Sequence, residues 1–135
     1  MVVSIVNNKK TAFIFAGIGS QWETMGSGLF TEPVFSQTVE TCDQIFSAYS
    51  GWSIREELKK AKDHSRLHDL SIAPPCICAL EIAMMELLKS WKIESDAVIG
   101  HSIGEAAAAH AAGILTLQDV FRIIWHHSVI LREIR

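Results

Sequence analysis

The chain has 135 residues, 49% of them hydrophobic, which allows one buried core and indicates one domain or part of one. Its formal net charge of -3, with two short lysine pairs, argues against a nucleic-acid partner. No apolar run approaches the roughly 18 residues of a membrane span, and residues 1–10 lack the apolar stretch of a signal peptide, so we expect a cytoplasmic protein without a membrane partner.

The first element in chain order is a short apolar run, Ala12–Ala16, which ends at Gly17. A continuous apolar run of this length is typical of a buried strand in a parallel sheet that is covered on both faces. The glycine-rich stretch Gly17–Ser20 is therefore predicted to be a loop at the carboxyl end of this strand.

Two helices are predicted next. The first begins near Thr31 and is closed by Gly51. Ser53 followed by Glu56 forms a capping box, which marks a helix N-terminus. This box predicts a charged helix over Ile54–Lys62 that is mostly exposed to solvent.

The strongest helical pattern starts at Pro74–Pro75 and continues to Trp91, with apolar residues at i, i+4 and i+7 spacing. We expect this helix to pack on a sheet. A short strand over Ala97–Ile99, a turn over Gly100–Gly104 and an alanine-rich helix over Glu105–Ala112 follow it.

The last predicted element is a helix from Leu117, capped by Thr116 and Asp119, whose apolar positions run to Ile134 without a stop signal. Strand and helix segments alternate along the chain without repeats or low-complexity linkers. The fold class is therefore predicted to be α/β with a mostly parallel sheet.

The turn Gly100-His101-Ser102-Ile103-Gly104 matches the Gly-x-Ser-x-Gly nucleophile elbow and lies between a predicted strand and a predicted helix. Such an elbow places the Ser102 hydroxyl at a helix N-terminus, and its two glycines let strand and helix approach closely. The Ile103 amide is then directed at the site, as oxyanion stabilisation requires. The alternative is a chance glycine-serine turn before a helix.

A serine hydroxyl needs a base within hydrogen-bond reach, usually a histidine from another part of the fold. None of the six histidines fits this role. The His101 side chain is expected to project away from Ser102, and His110 lies about two turns along the following helix, so both are interpreted as structural. The nucleophile is present and its base is missing.

Metal and redox motifs are also missing. His64 and His68 have i, i+4 spacing, but a serine replaces the glutamate of the metalloprotease motif, so no metal site is predicted. Cys76 and Cys78 are one residue apart, unlike a zinc or redox motif, and Cys42 stands alone. The three thiols are interpreted as buried in a reducing compartment.

Three sequence blocks occur together: Phe15-Ala16-Gly17-Ile18-Gly19-Ser20-Gln21-Trp22, Ile72-Ala73 before the long helix, and Gly100-His101-Ser102-Ile103-Gly104-Glu105 with Ala111-Ala112-Gly113. Together they resemble acyltransferase domains of polyketide synthases and animal-type fatty acid synthases, the malonyl/acyl-CoA:carrier-protein transacylases. The resemblance runs from about Thr11 to the end of the chain. Many serine hydrolases share the elbow, but the glycine-serine-glutamine-tryptophan block ahead of it is characteristic of this family.

The resemblance implies the N-terminal part of an α/β-hydrolase-like large subdomain, without the family's ferredoxin-like small subdomain. It divides the chain into a lead-in, residues 1–11, and a partial acyltransferase domain, residues 12–135, that stops after the helix following the elbow. The family's catalytic histidine would lie beyond Arg135. We therefore expect the chain by itself to be inactive.

The resemblance also implies a reaction. Acyl groups would pass from acyl-CoA to Ser102 and then to the phosphopantetheine thiol of an acyl carrier protein, with other synthase domains as partners and no cofactor bound by this domain. The backbone amides of Ile18 and Ile103 would form the oxyanion hole.

Three residues depart from the family pattern. Ile18 replaces a glutamine in the first glycine loop, which is tolerable because the backbone amide makes the oxyanion contact. Pro74 replaces a glutamine that lines the active site and brings neither a side-chain hydrogen bond nor an N–H donor. His127 aligns with the arginine that receives the free carboxylate of malonyl-type substrates, which leaves the acyl substrate open.

His127 has two interpretations. It shares a helical face with Val120, Ile123, Ile130 and Ile134, and this face is expected to point inward. A histidine on such a face either fills the core and bonds a carbonyl group, or contacts the substrate.

Two functions other than acyl transfer remain open. A serine esterase or thioesterase would share the elbow but deliver the acyl group to water. An inactive interaction fragment would account for the missing base, Pro74 and His127. The block from Gly17 to Trp22 favours transfer over hydrolysis.

Overall fold

A computed structural model of the protein describes residues 2–6 and 10–133. Its strands and α-helices are β1 (Val2–Val6), β2 (Lys10–Phe15), α1 (Pro33–Ser50), α2 (Ile54–Lys59), α3 (Ala73–Ser90), β3 (Ala97–Gly100), α4 (Gly104–Ala111) and α5 (Leu117–Glu133). Two short 3-10 turns, Ser27–Leu29 and Lys62–His64, interrupt the loops.

The strands form one sheet in the order β1-β2-β3. β2 and β3 pair in parallel, with Phe15 opposite Gly100, so the predicted α/β class is confirmed. β1 pairs antiparallel with β2, with Val2 opposite Ile14. This strand lies in residues 1–11, which were expected to be a lead-in, and it was not predicted.

The predicted helix caps are present. The Ser53 hydroxyl accepts a hydrogen bond from the Glu56 amide at 3.0 Å, and the Thr116 hydroxyl accepts one from the Asp119 amide at 3.1 Å. α1 ends at Gly51, whose φ of 70° is in the left-handed region that glycine adopts without strain because it has no β-carbon. These local signals set the helix boundaries to within a few residues of the prediction.

α3 is the central helix of the described fold. It is buried on almost all sides from Ala73 to Ala83, because it packs against α1, α2, α4 and α5. It was expected to pack on a sheet, but most of its neighbours are helices, and it reaches the end of β2 through the hydrogen bond between Glu81 and Ala16. Its last predicted apolar position, Trp91, is 55% exposed.

The three cysteines are buried, as the sequence predicted. Burial raises the pKa of Cys42 to about 12, and burial also places the pKa values of Cys76 and Cys78 well above their ordinary range. Because the thiolate is the reactive form, these thiols are packing residues and not nucleophiles at neutral pH.

The expectation that α2 is mostly exposed is wrong. Ile54, Glu57 and Leu58 are buried. The Glu57 carboxylate accepts hydrogen bonds from Lys60 Nζ at 2.7 Å and from the Arg66 amide and Nε at 2.7 and 2.8 Å. Burial opposes the ionisation of Glu57, but the bonds from Lys60 and Arg66 outweigh burial and lower its pKa.

The inward face of α5 differs from the predicted one. Val120, Phe121, Ile124 and Ser128 are buried, whereas Ile123 is 46% and Ile130 is 55% exposed. Ile134 lies outside the described residues. The helix is rotated relative to the predicted face because the aromatic ring of Phe121 packs on Phe46 of α1, at a ring-centroid distance of 5.9 Å. In the described ranges, none of the helices is long and apolar enough to cross a membrane.

We predict that Glu57→Gln lowers the free energy of unfolding at pH 7 by about 2 kcal/mol, because the amide cannot compensate the charges of Lys60 and Arg66. A carboxylate with a lowered folded-state pKa stabilises the fold above its unfolded-state pKa and loses this effect as the pH falls through the folded-state value. Urea unfolding should therefore show the difference between wild type and variant shrinking below about pH 4.

Glu56→Gln is the matched control, since Glu56 is the exposed neighbour on the same helix. Its effect should stay within about 0.5 kcal/mol. Equal effects of the two substitutions at pH 7 would contradict the role assigned to Glu57.

Candidate active site

Ser102 lies on the turn between β3 and α4 with a φ of 55°, in the left-handed region that residues other than glycine rarely adopt. It precedes the first residue of α4, Gly104, by two positions. A strained serine between a parallel strand and a helix N-terminus is the geometry of a nucleophile elbow. This backbone conformation favours the nucleophile elbow predicted from the sequence over a chance turn.

The two elbow glycines are required by space. A β-carbon on Gly104 would lie 2.4 Å from the Phe15 carbonyl oxygen, and one on Gly100 would lie 2.4 Å from Glu105 Cα. Both contacts are with backbone atoms, which cannot move aside as a flexible side chain can. Only glycine therefore lets α4 start directly against the ends of β2 and β3.

The loop after β2 lies against the elbow. A β-carbon on Gly17 would lie 2.9 Å from Ser102 Cβ and 2.9 Å from the His101 carbonyl oxygen. The loop is also held internally: the Ser20 hydroxyl donates to the Gly17 carbonyl at 2.7 Å, and the Gln21 side chain accepts from the Gly19 amide at 2.8 Å. The two glycine-containing segments predicted from the sequence thus meet at Ser102.

The amides of Ile18 and Ile103 have no hydrogen-bond acceptor among the described residues. Ile103 is buried and caps the N-terminus of α4, where amides lack intrahelical partners and the helix dipole is positive. Ile18 is half-buried in the loop beside the elbow. Ile103 directly follows Ser102, and Ile18 directly follows Gly17, which packs against Ser102. Unpaired amides at such positions are suited to receive an oxyanion.

No base reaches Ser102 within the described part of the chain, where the serine hydroxyl has no hydrogen-bond partner. His101 is exposed, and its amide donates to the Phe15 carbonyl at 2.9 Å. His110 Nδ1 lies 2.9 Å from the Leu115 carbonyl oxygen, in agreement with the structural role expected for it. His68 Nε2 lies 2.6 Å from a carboxylate oxygen of Glu23.

An apolar groove of about 480 Å³ opens beside Ser102. It is lined by Ser102, Ile103, Glu105, Ala106, Leu115, Ile123, Ile124 and His127. His127 is half-buried, and its Nδ1 atom is shielded from solvent without a hydrogen-bond partner. Pro74 is buried in the first turn of α3 and does not line this groove.

Glu81, which was not predicted as a site residue, accepts a hydrogen bond from the Ala16 amide at 2.5 Å. Ala16 immediately precedes the Gly17–Gln21 loop. The only available signal was an acidic residue within the apolar part of α3, a position where a charged side chain is rarely tolerated without a partner.

We predict that Gly104→Ala lowers the free energy of unfolding by more than about 3 kcal/mol or prevents folding, because its β-carbon would overlap the Phe15 backbone. Gly28→Ala is the control, since a β-carbon there meets nothing within 4 Å. Thermal and urea unfolding of both variants measure the difference. Similar stability of the two variants would show that the elbow is less tightly packed than described.

The chain is similar to known proteins in sequence and in structure. Residues 12–135 match the family model described as the acyl transferase domain. The chain is 40% identical over 119 residues to the highly reducing polyketide synthase NEC1 of Pyricularia oryzae. The aligned region covers 87% of this chain and 4% of that protein. It is 35% identical over 133 residues to the erythronolide synthase EryA2 of Saccharopolyspora erythraea, covering 98% of this chain and 4% of that protein.

Solved structures of acyltransferases are also similar to this chain. A loading acyltransferase from the avermectin modular polyketide synthase superposes with a TM-score of 0.82 at 36% identity, covering 87% of this chain and 37% of that one. The malonyl-CoA:ACP transacylase of Synechocystis superposes with a TM-score of 0.76 at 27% identity, covering 88% of this chain and 39% of that one. The chain spans well under half the length of these structures. By its sequence and its fold, the chain belongs to the acyl transferase domain family.

Proposed function

We propose that this chain carries the nucleophile and the oxyanion donors of an acyltransferase that moves acyl groups from coenzyme A to a carrier protein. The observation that supports this most directly is the left-handed Ser102 at the start of α4, next to the unpaired amides of Ile18 and Ile103. The relatives are polyketide synthases, which are multidomain proteins, so the proposed partners are acyl-CoA, an acyl carrier protein and neighbouring synthase domains.

In the first half-reaction, Ser102 Oγ attacks the thioester carbonyl carbon while a base takes the serine proton. The Ile18 and Ile103 amides stabilise the negative charge that develops on the carbonyl oxygen. The carbon–sulfur bond then breaks, an ester to Ser102 remains, and coenzyme A leaves as the thiol after receiving the proton.

In the second half-reaction, the phosphopantetheine thiol of the carrier protein attacks the same ester carbonyl and gives its proton to the base. The carbon–oxygen bond breaks, the acyl group leaves on the carrier, and Ser102 recovers its proton. The base is proposed to be a histidine supplied from outside the described residues. The domain boundary, with residues 1–11 as a lead-in and 12–135 as part of the acyltransferase domain, is part of the same proposal.

We predict that Ser102→Ala abolishes covalent loading in the complete domain, meaning this chain joined to the residues that supply the base. Alanine removes the nucleophile without adding volume to the elbow. Mass spectrometry after incubation with acyl-CoA should show an acyl adduct on the wild type and none on the variant. Ser36→Ala, on α1, is the control that should still load; an adduct on Ser102→Ala would place the nucleophile elsewhere.

The esterase alternative differs in the acceptor. A hydrolase releases free acid from acyl-CoA at the same rate with and without carrier protein, whereas a transferase consumes acyl-CoA rapidly only when carrier protein is present. The transacylase named among the similar structures favours transfer. Release of free acid independent of carrier protein would favour the hydrolase. If the chain is an inactive interaction fragment, the complete domain should catalyse neither transfer nor hydrolysis.

The groove beside Ser102 also bears on the acyl group. Its walls are mostly aliphatic. The polar side chain that α5 contributes to the groove is His127, whose Nδ1 atom has no hydrogen-bond partner. A malonyl-type carboxylate prefers a planar, permanently charged, two-pronged donor, which arginine supplies and histidine does not. We therefore propose a monocarboxylic acyl group, such as acetyl or a longer starter unit, as the substrate.

We predict that the complete domain loads acetyl-CoA faster than malonyl-CoA at neutral pH, and that His127→Arg shifts the ratio of kcat/KM towards malonyl-CoA by about tenfold or more. His126→Arg is the matched control, because His126 is the exposed neighbour on the same helix and does not line the groove. Faster malonyl loading by the wild type would refute the substrate proposal while leaving the acyltransferase proposal intact.

A further inference from the structure

Glu81 is a buried carboxyl that forms no ion pair with a side chain of the described residues. The residue lies on α3 and is 2% exposed. No lysine, arginine or histidine within the described ranges forms an ion pair with it, in contrast to Glu57, which contacts Lys60 and Arg66. Its one hydrogen bond joins Oε1 to the Ala16 amide at 2.5 Å, and Oε2 has no partner. A buried acid in this condition costs stability, so its presence calls for another reason.

The Ala16 amide has no partner in the sheet. The Phe15 carbonyl faces β3, where it accepts from the His101 amide at 2.9 Å. The Phe15 carbonyl and the Ala16 N–H belong to one trans peptide group and point in opposite directions, so the Ala16 amide points away from β3. On that side the described register of β1 ends with Val2 opposite Ile14, and no residue of β1 stands opposite Ala16. On that side Glu81 accepts the hydrogen bond of the Ala16 amide.

This bond lies at the start of the loop that holds Ile18. Ala16 is followed by Gly17, which is so close to the elbow that a β-carbon would lie 2.9 Å from Ser102 Cβ. The segment is therefore held on one side by the elbow backbone and on the other by the carboxyl group of Glu81. Two residues after Ala16, the Ile18 amide is left unpaired.

We propose that Glu81 is a positioning residue: by accepting the Ala16 amide, it fixes the loop so that the Ile18 amide is held at the oxyanion position beside Ser102. The proposal rests on the proposed acyltransferase function for the role of Ile18, but the anchoring of Ala16 does not. Glu81 acts through the backbone, and it does not touch the reacting atoms.

A purely structural role for Glu81 predicts a different outcome. Burial raises the pKa of Glu81 to about 7, and the hydrogen bond from Ala16 opposes that rise. A carboxyl that is costly to ionise gives little stability, so replacing it with an apolar residue of similar size should keep the fold. If Glu81 served stability alone, Glu81→Leu would change the melting temperature and the activity together.

The test has two arms and uses Glu81→Leu, which removes the acceptor, and Glu81→Gln, which keeps an acceptor oxygen. The first arm measures amide hydrogen exchange of Ala16 and Ile18 by NMR in the 135-residue chain. We expect exchange at Ala16 to become at least about tenfold faster in Glu81→Leu and to stay near the wild-type rate in Glu81→Gln. Unchanged exchange in Glu81→Leu would overturn the anchoring.

The second arm measures single-turnover acylation of Ser102 by acyl-CoA in the complete domain. Glu81→Leu should lower the acylation rate about ten- to hundredfold, which is the loss expected for a misplaced donor. The acyl-CoA concentration that gives half of the maximal rate should change little. Glu81→Gln should restore most of the rate. Glu86→Leu makes the same change on the outer side of α3, where Glu86 pairs with Lys89, and should leave the rate unchanged.

The two proposals fail separately. A wild-type domain that forms no adduct on Ser102 contradicts the acyltransferase proposal, and the exchange rate of Ala16 still decides whether Glu81 anchors the loop. A wild type that loads, together with a Glu81→Leu variant that loads equally fast, contradicts the positioning role. A loss of rate matched by a loss of folded protein, followed by melting curves, also contradicts it.

Discussion

The absence of side chains at Gly17, Gly100 and Gly104 controls how closely the ends of β2 and β3 approach the start of α4. A β-carbon on Gly104 would meet the Phe15 carbonyl at 2.4 Å, and one on Gly17 would meet Ser102 Cβ at 2.9 Å. These contacts bring three backbone segments together: the loop after β2, the turn after β3 and the first turn of α4. A site made of backbone amides can only be assembled where backbones approach this closely.

The same packing explains which parts of the site could be predicted from the sequence. The elbow and the loop before it carry local signals, because glycine at fixed spacing around Ser102 is a property of the segment itself. Helix caps such as Ser53 and Thr116 are also local, and their helix starts were predicted correctly. The family resemblance added the Ile18 amide, which no spacing argument provides.

The features that were missed depend on contacts between distant segments. β1 pairs with a strand that follows it, but its sequence contains no turn glycine to mark a hairpin. The predicted inward face of α5 included Ile123, but the observed face includes Phe121 and Ile124. Phe121 packs on Phe46, and Ile123 is therefore turned towards solvent. The burial of Glu57 was not visible in the charged pattern of α2, and Glu81 was marked only by its position among the apolar residues of α3.

The two buried glutamates show how one side chain serves different purposes in different surroundings. Glu57 is surrounded by donors from Lys60 and Arg66, which lower its pKa despite burial, so it holds the loop after α2 as a carboxylate. Glu81 has a single donor, a backbone amide, and burial raises its pKa to about 7. Glu57 is compensated where it stands and stabilises the fold. Glu81 has no ion-pair partner among the described side chains, and its one hydrogen bond there goes to the peptide that begins the loop beside Ser102. An uncompensated buried group whose one contact leads to the reacting serine is better explained by the geometry of the site than by stability.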